Sequence, residues 1–453
     1  MGTKYSGHER HMTQKNITAR RIRSSRSARL LDEERTKTRE KGFGVLWIFF
    51  ITLFGVVFIG CGIVVSIALP KYLRIHRNEP VSVMTFVEAI PETLAVAEED
   101  PEVLGANVAK EKYADILNNS EYLRQNNIYT KKASSKESVK LGFVGDILFD
   151  DEYAVTSTLK AQGGILSTAI SPETLTYMNS MDIMVVNNEF PYTQRGQRTE
   201  GKTYTFRADY DTVNYLHDMG ADLAILANNH VLDFGQVGLN DTLDTLTNAG
   251  IPYVGAGRNI DEASRPVYFI VNDIKIAVVA ATQIERNDYP NTVGATENSG
   301  GTFRCWTGDL IYQKIAEAKA NSDFVIVCIH WGTEKETSPD CWQLKQAPLL
   351  AEAGADVIIG DHPHVLQGIT YYGNTPCIYS LGNFWFNSSS LDTGMVELEV
   401  TKEGLKSFKF IPGIQQNCRT AFVGDDEGAR IINHMRNLSS GVIIDDNGYV
   451  YKK

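Results

Sequence analysis

Cysteine is scarce in this 453-residue chain and never closely spaced. The six cysteines stand at 61, 305, 328, 341, 377 and 418, with no C-x-x-C pair, which excludes a zinc ribbon. Five of them follow residue 70, an odd number. Cys328 sits in an apolar run and reads as a buried thiol; Cys305 and Cys341 each precede a tryptophan and are candidates for pairing. Internal repeats and long low-complexity tracts are missing. Positive charge is short beyond the first 42 residues: those carry 12 Lys/Arg against 5 Asp/Glu, and the rest of the chain 32 against 50, about −18 net. That balance argues against nucleic acid as a partner of the larger part, and it repels a polyanion unless metal or local cations intervene. Histidine is also sparse, nine in all, so its clustering is informative.

One long apolar run exists. Residues 43–69 contain no charged residue over 27 positions, beyond the roughly 20 needed to cross a bilayer as a helix. The run is too long, and starts too late, for a cleaved signal peptide. It reads as an uncleaved transmembrane signal anchor. Arg29, Arg35, Lys37, Arg39 and Lys41 crowd its near side, against Lys71, Arg74 and Arg77 beyond it. The positive-inside rule then places residues 1–42 in the cytoplasm as a basic tail and the remainder outside the cell membrane. The tail fits either contact with anionic lipid or topology alone.

Residues 70–138 read as an extracytoplasmic stalk, with an acidic patch at Glu98, Glu99, Asp100 and Glu102 and a short helix near 108–123. From residue 139 to the end, short apolar runs alternate with amphipathic windows. The runs fall at 139–144, 183–186, 223–227, 274–280, 324–329, 357–359 and 377–379; the windows fall at 211–219, 239–249, 310–320 and 343–353. Continuous apolar strands alternating with helices predict an α/β layered domain. Two further strands (395–400 and 408–411) and a helix near 427–438 complete it.

Polar blocks follow the strands, where ligand sites of open α/β sheets gather. They are Gly145-Asp146, Asn187-Asn188-Glu189, Asn228-Asn229-His230, His330-Trp331-Gly332-Thr333-Glu334, Gly360-Asp361-His362-Pro363-His364 and Ser380-Leu381-Gly382-Asn383-Phe384. His362 and His364, two apart just past a strand, are expected to face the same way and converge. Carboxylates, an amide oxygen and imidazoles together suit Mn, Fe or Zn, and a carboxylate can bridge two ions. Such a pair acidifies water and clamps a phosphoryl oxygen. His230, beside Asn229, is then placed to act as a general acid.

In order, the strings GD, NNE, ANNH, HWGTE, GDHPHVLQG and YSLGNFWF resemble the CapA/PgsA family of capsule and poly-γ-glutamate synthesis proteins. The resemblance covers 139–386, and the single anchor matches the family's habit. It implies a calcineurin-like metallophosphoesterase fold, a four-layer α/β/β/α sandwich. It implies Asp146, Glu189, Asn229, His330, His362 and His364 as ligands of two divalent ions and His230 as catalytic acid. Within a further family-like stretch, 202–207, Arg207 is a candidate for holding an anionic substrate group and Lys202 a second; both also fit solvated surface charges. Glu334 and Asn383 are further candidate substrate contacts. Two departures stand out. Those phosphoesterases open with Asp-x-His, whereas Leu148 occupies the histidine position here. Asp361 adds a carboxylate where a small residue is commoner, and is expected to serve catalysis by orienting a ligand imidazole.

The functional expectation is a membrane-anchored, extracytoplasmic metal-dependent hydrolase or transferase. It would act on an anionic envelope polymer or precursor in capsule or poly-γ-glutamate synthesis. The alternative is a non-catalytic, metal-containing polymer-binding subunit of a synthetase or export complex.

Overall fold

The computed structural model describes residues 111–284, 293–306 and 308–453. The expected tail and anchor, 1–69, and the stalk as far as residue 110 lie outside the described residues. Among the described residues no helix is long and apolar enough to cross a membrane.

The apolar runs form strands because they can be buried on both faces. The first sheet has seven strands: β1 (Ile128–Thr130), β6 (Val267–Val271), β7 (Ile274–Thr282), β8 (Phe324–His330), β9 (Val357–Asp361), β10 (Leu366–Tyr372) and β11 (Thr375–Leu381), in the order β1-β6-β7-β8-β9-β11-β10. The second is built from β2 (Val139–Ile147), β3 (Ile183–Asn188), β4 (Leu223–Ile225), β5 (Tyr253–Val254), β13 (Leu391–Thr401), β14 (Gly404–Gln416) and β15 (Arg419–Phe422), in the order β15-β14-β13-β2-β3-β4-β5. A short strand, β12 (Asn383–Trp385), also pairs with β2. β2 to β5 run parallel, as do β7, β8, β9 and β11.

Side-chain alternation sorts the core into three apolar layers. Leu141, Phe143, Ile183, Val185 and Leu223 of the second sheet meet Ile276, Val278, Ile326 and Ile359 of the first. Val144, Met184, Val186 and Ala224, on the opposite face, pack against Leu159, Met178, Leu216, Leu239 and Leu243. These come from α1 (Ala154–Ala161), α2 (Pro172–Met178), α3 (Asn214–Asp218) and α4 (Gly235–Ala249). Ala277, Val279, Val325 and Val327 pack against Ile311, Ile315, Ala347 and Leu350 of α5 (Leu310–Asn321) and α6 (Cys341–Glu352). The stack is therefore helices, sheet, sheet, helices. A last helix, α7 (Asp425–Leu438), adds Ile431, Ile432 and Met435 to the layer between the sheets.

The globular unit starts earlier than expected. Residues 111–138, assigned above to the stalk, hold two short helices and β1, which extends the first sheet by pairing with β6. Tyr113 fixes this arm: its N–H donates to Asp273 Oδ1 at 2.9 Å and its hydroxyl to Asp323 Oδ2 at 2.9 Å. Polarity concealed this segment, since Ile128 is the one fully apolar residue of a three-residue strand. The cysteine pairing is not formed. Cys305 is buried in the helix-side core, whereas Cys341 is exposed at the start of α6.

The strands continue through the polar blocks rather than stopping before them. Asp146 pairs in register with Asn187 and Asn383, and His330 with Asp361. Close backbone contact makes this possible. A Cβ on Gly145 would lie 1.9 Å from the Gly382 carbonyl oxygen, the same oxygen that accepts from Asp146 N at 3.0 Å. We expect Gly145→Ala to cost about 2–3 kcal/mol by urea denaturation; a change below about 0.5 kcal/mol would show that this contact does not constrain the strand.

Candidate metal centre

The rim where both sheets end collects the polar blocks. β2 carries Asp146 and β3 carries Asn187 and Asn188, with Glu189 next; Asn228, Asn229 and His230 follow β4. From the facing sheet, β8 ends on His330 and β9 on Asp361, with His362 and His364 beyond. The two last imidazoles converge by a different route from the one expected. The strand stops at Asp361, and His362 (φ 99°) and His364 (φ 59°) both adopt left-handed backbone. For non-glycine residues that geometry costs on the order of 1–3 kcal/mol each, and it persists where the surroundings over-determine it.

Two clusters result, and they share one residue. Glu189, His330 and His362 bring one potential ligand atom each within 4.8 Å of one another, and so do Asp146, Glu189 and His364. His330 Nε2 lies 3.3 Å from Glu189 Oε1, 2.9 Å from Asn229 Oδ1 and 3.1 Å from His362 Nδ1. His364 Nδ1 lies 3.0 Å from Asp146 Oδ2 and 2.8 Å from Asn383 Oδ1. Asn187 Nδ2 donates to Asp146 Oδ1 at 2.6 Å.

These residues fit a divalent cation. Both Glu189 oxygens and Asp146 Oδ2 are buried without a hydrogen bond, the latter because His364 is near but misaligned. A buried carboxylate oxygen in that state is costly unless a cation faces it. Around His330 Nε2, an oxygen of Glu189, an oxygen of Asn229 and a nitrogen of His362 all compete for what one N–H could supply only once. A cation satisfies them together.

Electrostatics point the same way. Burial, then the charge of Asp146, pushes the Glu189 carboxyl well up. Burial also depresses His362, and holds His330 down at about 3. His364 is the exception: burial opposes its charge, but Glu189 and Asp146 hold it at about 10. For Asp146, burial is outweighed by His364, and its carboxyl falls below the usual range. In this structure the His364 proton is the counter-charge to the buried Asp146 carboxylate.

His230 stands beside the clusters, Nε2 3.9 Å from Glu189 Oε1. Its other nitrogen is 2.7 Å from Asp233 Oδ2, and its ring lies on Phe206 with centroids 4.1 Å apart. Burial lowers its pKa to about 4, with Asp233 pulling upward. Asp233 escaped the sequence reading, although its position three residues after His230 in a turn was a usable signal. Asn187 and Asn228 also act here without having been singled out. The Asn228 carboxamide oxygen accepts from His230 N at 3.0 Å and Val231 N at 3.2 Å, which holds the turn.

The other candidates fall in different places. Lys202 is half-buried beside His230, its ammonium bonded to Asp233 and to the Asn229 carbonyl oxygen. It ties the turn that carries His230 together. Arg207 is not brought to the cluster: its guanidinium lies 4.8 Å from the Phe234 ring centroid, in a separate hollow edged by Asp150, Asp151, Glu152 and Asp209. Asn383 backs His364 from a fully buried position. Glu334 is exposed on the edge of a cavity of about 440 Å³ whose wall includes Asn229 and His362. The orienting bond expected of Asp361 is not made. Its Oδ1 is buried without a partner, and burial with the charges of Asp146 and Glu189 pushes its pKa well up.

With this geometry in view, comparison with known proteins is decisive. The family described as "Bacterial capsule synthesis protein PGA_cap" matches residues 140–388, more than half of the chain. The chain belongs to this family. The PGA_cap span contains every cluster residue from Asp146 to Asn383; β13, β14, β15 and α7 lie wholly beyond it. Among relatives, the PGA biosynthesis protein CapA of Bacillus subtilis (strain 168) is 30% identical over 286 residues, 62% of this chain and 73% of its own. The capsule biosynthesis protein CapA of Bacillus anthracis is 29% identical over 292 residues, 62% and 68% respectively. Among solved structures, a 5'-nucleotidase from Candida albicans aligns over 62% of this chain and 53% of its own at 10% identity, with a TM-score of 0.33. That likeness is too slight to carry an argument.

The His364 proton yields a test. A cation entering beside Asp146 and Glu189 displaces it, because its pKa of about 10 keeps it bound at neutral pH. We expect calorimetric Mn²⁺ affinity of the full chain to rise about tenfold or more per pH unit between roughly pH 6 and 8. A flat profile would mean that no proton is displaced.

Proposed function

We propose that this PGA_cap protein is a metal-dependent hydrolase or transferase of metallophosphoesterase type, acting in capsule or poly-γ-glutamate synthesis. Its partners are an anionic envelope polymer or its precursor and the subunits of a synthetase or exporter. It is held at the cell membrane by the apolar span 43–69, with the globular unit outside. The observation that carries the catalytic part is the sharing of Glu189 between two clusters whose carboxylate oxygens otherwise lack partners.

Glu189, Asn229, His330 and His362 would hold one divalent ion; Asp146, Glu189 and His364 the other. When bound, such ions supply Lewis-acid polarisation of an ester oxygen and acidify water. The chain's own residues do the rest. Asp233 fixes the His230 ring so that Nε2 faces the cluster; there it would take the proton released by the attacking water and return that proton to the leaving oxygen. Lys202 and Asn228 keep that ring and Asn229 in a single turn. The inter-sheet core walls the cluster off from water on its inner side, which strengthens the charge interactions there.

A second reading has one observation in its favour. Leu148, at the position of the phosphoesterase histidine, is fully buried in the helix-side core beside Phe149. The Asp146 cluster thus has one imidazole fewer than that pattern provides. A site holding metal without turnover, serving to bind polymer in a larger assembly, would follow from a weakened cation there.

Elemental analysis of the purified full chain, run beside hydrolysis of bis(p-nitrophenyl) phosphate, separates the two. We expect about two equivalents of metal and turnover, with Glu189→Gln losing both. His230→Asn should keep the metal and lower kcat by about 10²-fold or more. Metal with no hydrolysis would favour the binding role, and no metal would end both readings.

A further inference from the structure

The two halves of the metal centre repeat one arrangement. On one side, His330 Nε2 has a carboxylate oxygen (Glu189 Oε1, 3.3 Å) and an amide oxygen (Asn229 Oδ1, 2.9 Å) beside it. On the other, His364 Nδ1 has a carboxylate oxygen (Asp146 Oδ2, 3.0 Å) and an amide oxygen (Asn383 Oδ1, 2.8 Å) beside it. A single N–H on Nδ1 serves one of these two oxygens. It serves the amide, and Asp146 Oδ2 stays buried without a hydrogen bond. The crowding that makes Asn229 a ligand candidate is therefore present at Asn383 as well.

The carboxamide itself is turned as a ligand would be. Asn383 is 0% exposed, with its oxygen toward the cluster and its Nδ2 buried without a hydrogen-bond partner. A buried amide donor left unpaired is costly and requires a reason. The orientation presents a neutral oxygen donor, of the kind divalent ions take from asparagine and backbone carbonyls.

The backbone fixes that oxygen in place. Asn383 opens β12 and pairs in register with Asp146 of β2. On one side of it, the Gly382 carbonyl oxygen accepts from Asp146 N at 3.0 Å; on the other, the Trp385 carbonyl oxygen accepts from Leu148 N at 3.0 Å. Trp385 Nε1 donates in turn to the Cys418 carbonyl oxygen at 2.9 Å. Leu148 is packed into the helix-side core and gives the Asp146 side no donor. The neighbouring strand brings one instead.

We propose that Asn383 Oδ1 is a ligand of the second ion, joining Asp146, Glu189 and His364, so that an amide from the adjacent strand replaces the imidazole absent at position 148. This rests on the metal-centred reading above and adds a donor to it.

Calorimetry and diffraction test this without turnover. The full chain, stripped with EDTA and titrated with Mn²⁺, should bind about two equivalents. Asn383→Leu should weaken the second about tenfold or more and leave the first, held by Glu189, Asn229, His330 and His362, at the parent affinity. Asn383→Asp keeps an oxygen at this position and should retain both. Crystals of the Mn²⁺-loaded parent chain should place Asn383 Oδ1 about 2.0–2.6 Å from the second ion, a reading that stands even where Asn383→Leu does not fold. An oxygen outside that range, undiminished affinity for the second ion in Asn383→Leu, or a parent whose Asp146 side takes up no ion would each overturn the proposal. Two bound ions with Asn383 out of reach remove this ligand alone; a parent chain that binds no metal ends the metal-centred reading itself.

Discussion

Three carboxylates, Asp146, Glu189 and Asp361, are sealed at the same rim between two sheets, each influencing its neighbours' charge. In a medium of low dielectric, like charges so placed are among the costliest features a fold can carry. The protein answers in two ways. Protons are held where charge would accumulate, as the raised pKa values of Glu189 and Asp361 show, and His364 is kept cationic by the acids beside it. A cation supplied from outside replaces both answers at once. The clustered imidazoles, the left-handed backbone at His362 and His364 and the orphaned oxygens all lie at this rim.

The fold supplies the rigidity that such a charge cluster demands. Asp146 and His330 stand within strands whose backbones ladder hydrogen bonds fix, and Glu189 and His362 directly follow such strands; Asn229 and His364 lie farther out, in the turns. Glycines then allow the chains to approach. Gly145 admits the Gly382 carbonyl oxygen; a Cβ on Gly360 would lie 2.2 Å from the Tyr379 carbonyl oxygen and 2.5 Å from the Trp331 indole nitrogen. Trp331 Nε1 donates to that carbonyl at 2.9 Å, which ties β8 to β11 across β9. The histidines of the first sheet are therefore held by neighbours that cannot move independently.

Much of this was legible before any coordinates. Apolar runs of three to seven residues announced the parallel strands because both faces are covered, and the polar blocks after them announced the rim. What could not be read follows from tertiary context. Nothing in residues 202–207 distinguishes Lys202, bonded to Asp233 beside His230, from Arg207, lying over Phe234. Both are cations near one turn, and only the packing of Phe206 against His230 decides which points inward. The arm at 111–138 is too polar to betray a sheet edge. Convergence of His362 and His364 was expected from strand alternation; it is achieved by backbone strain, which residue types do not reveal.

Leu148 and Asp361 make most sense taken together. The first removes an imidazole from the Asp146 side, turning that position into part of the helix-facing core. The second places an additional acid on β9, where its charge is felt by Asp146 and Glu189. The exchange lowers the number of neutral nitrogen donors and raises the negative charge available to cations in the same volume. A site altered this way would offer a cation more oxygen donors and fewer nitrogens. It also relies more heavily on Glu189 as the carboxylate common to both clusters, because one cluster then rests on two acids and a single histidine.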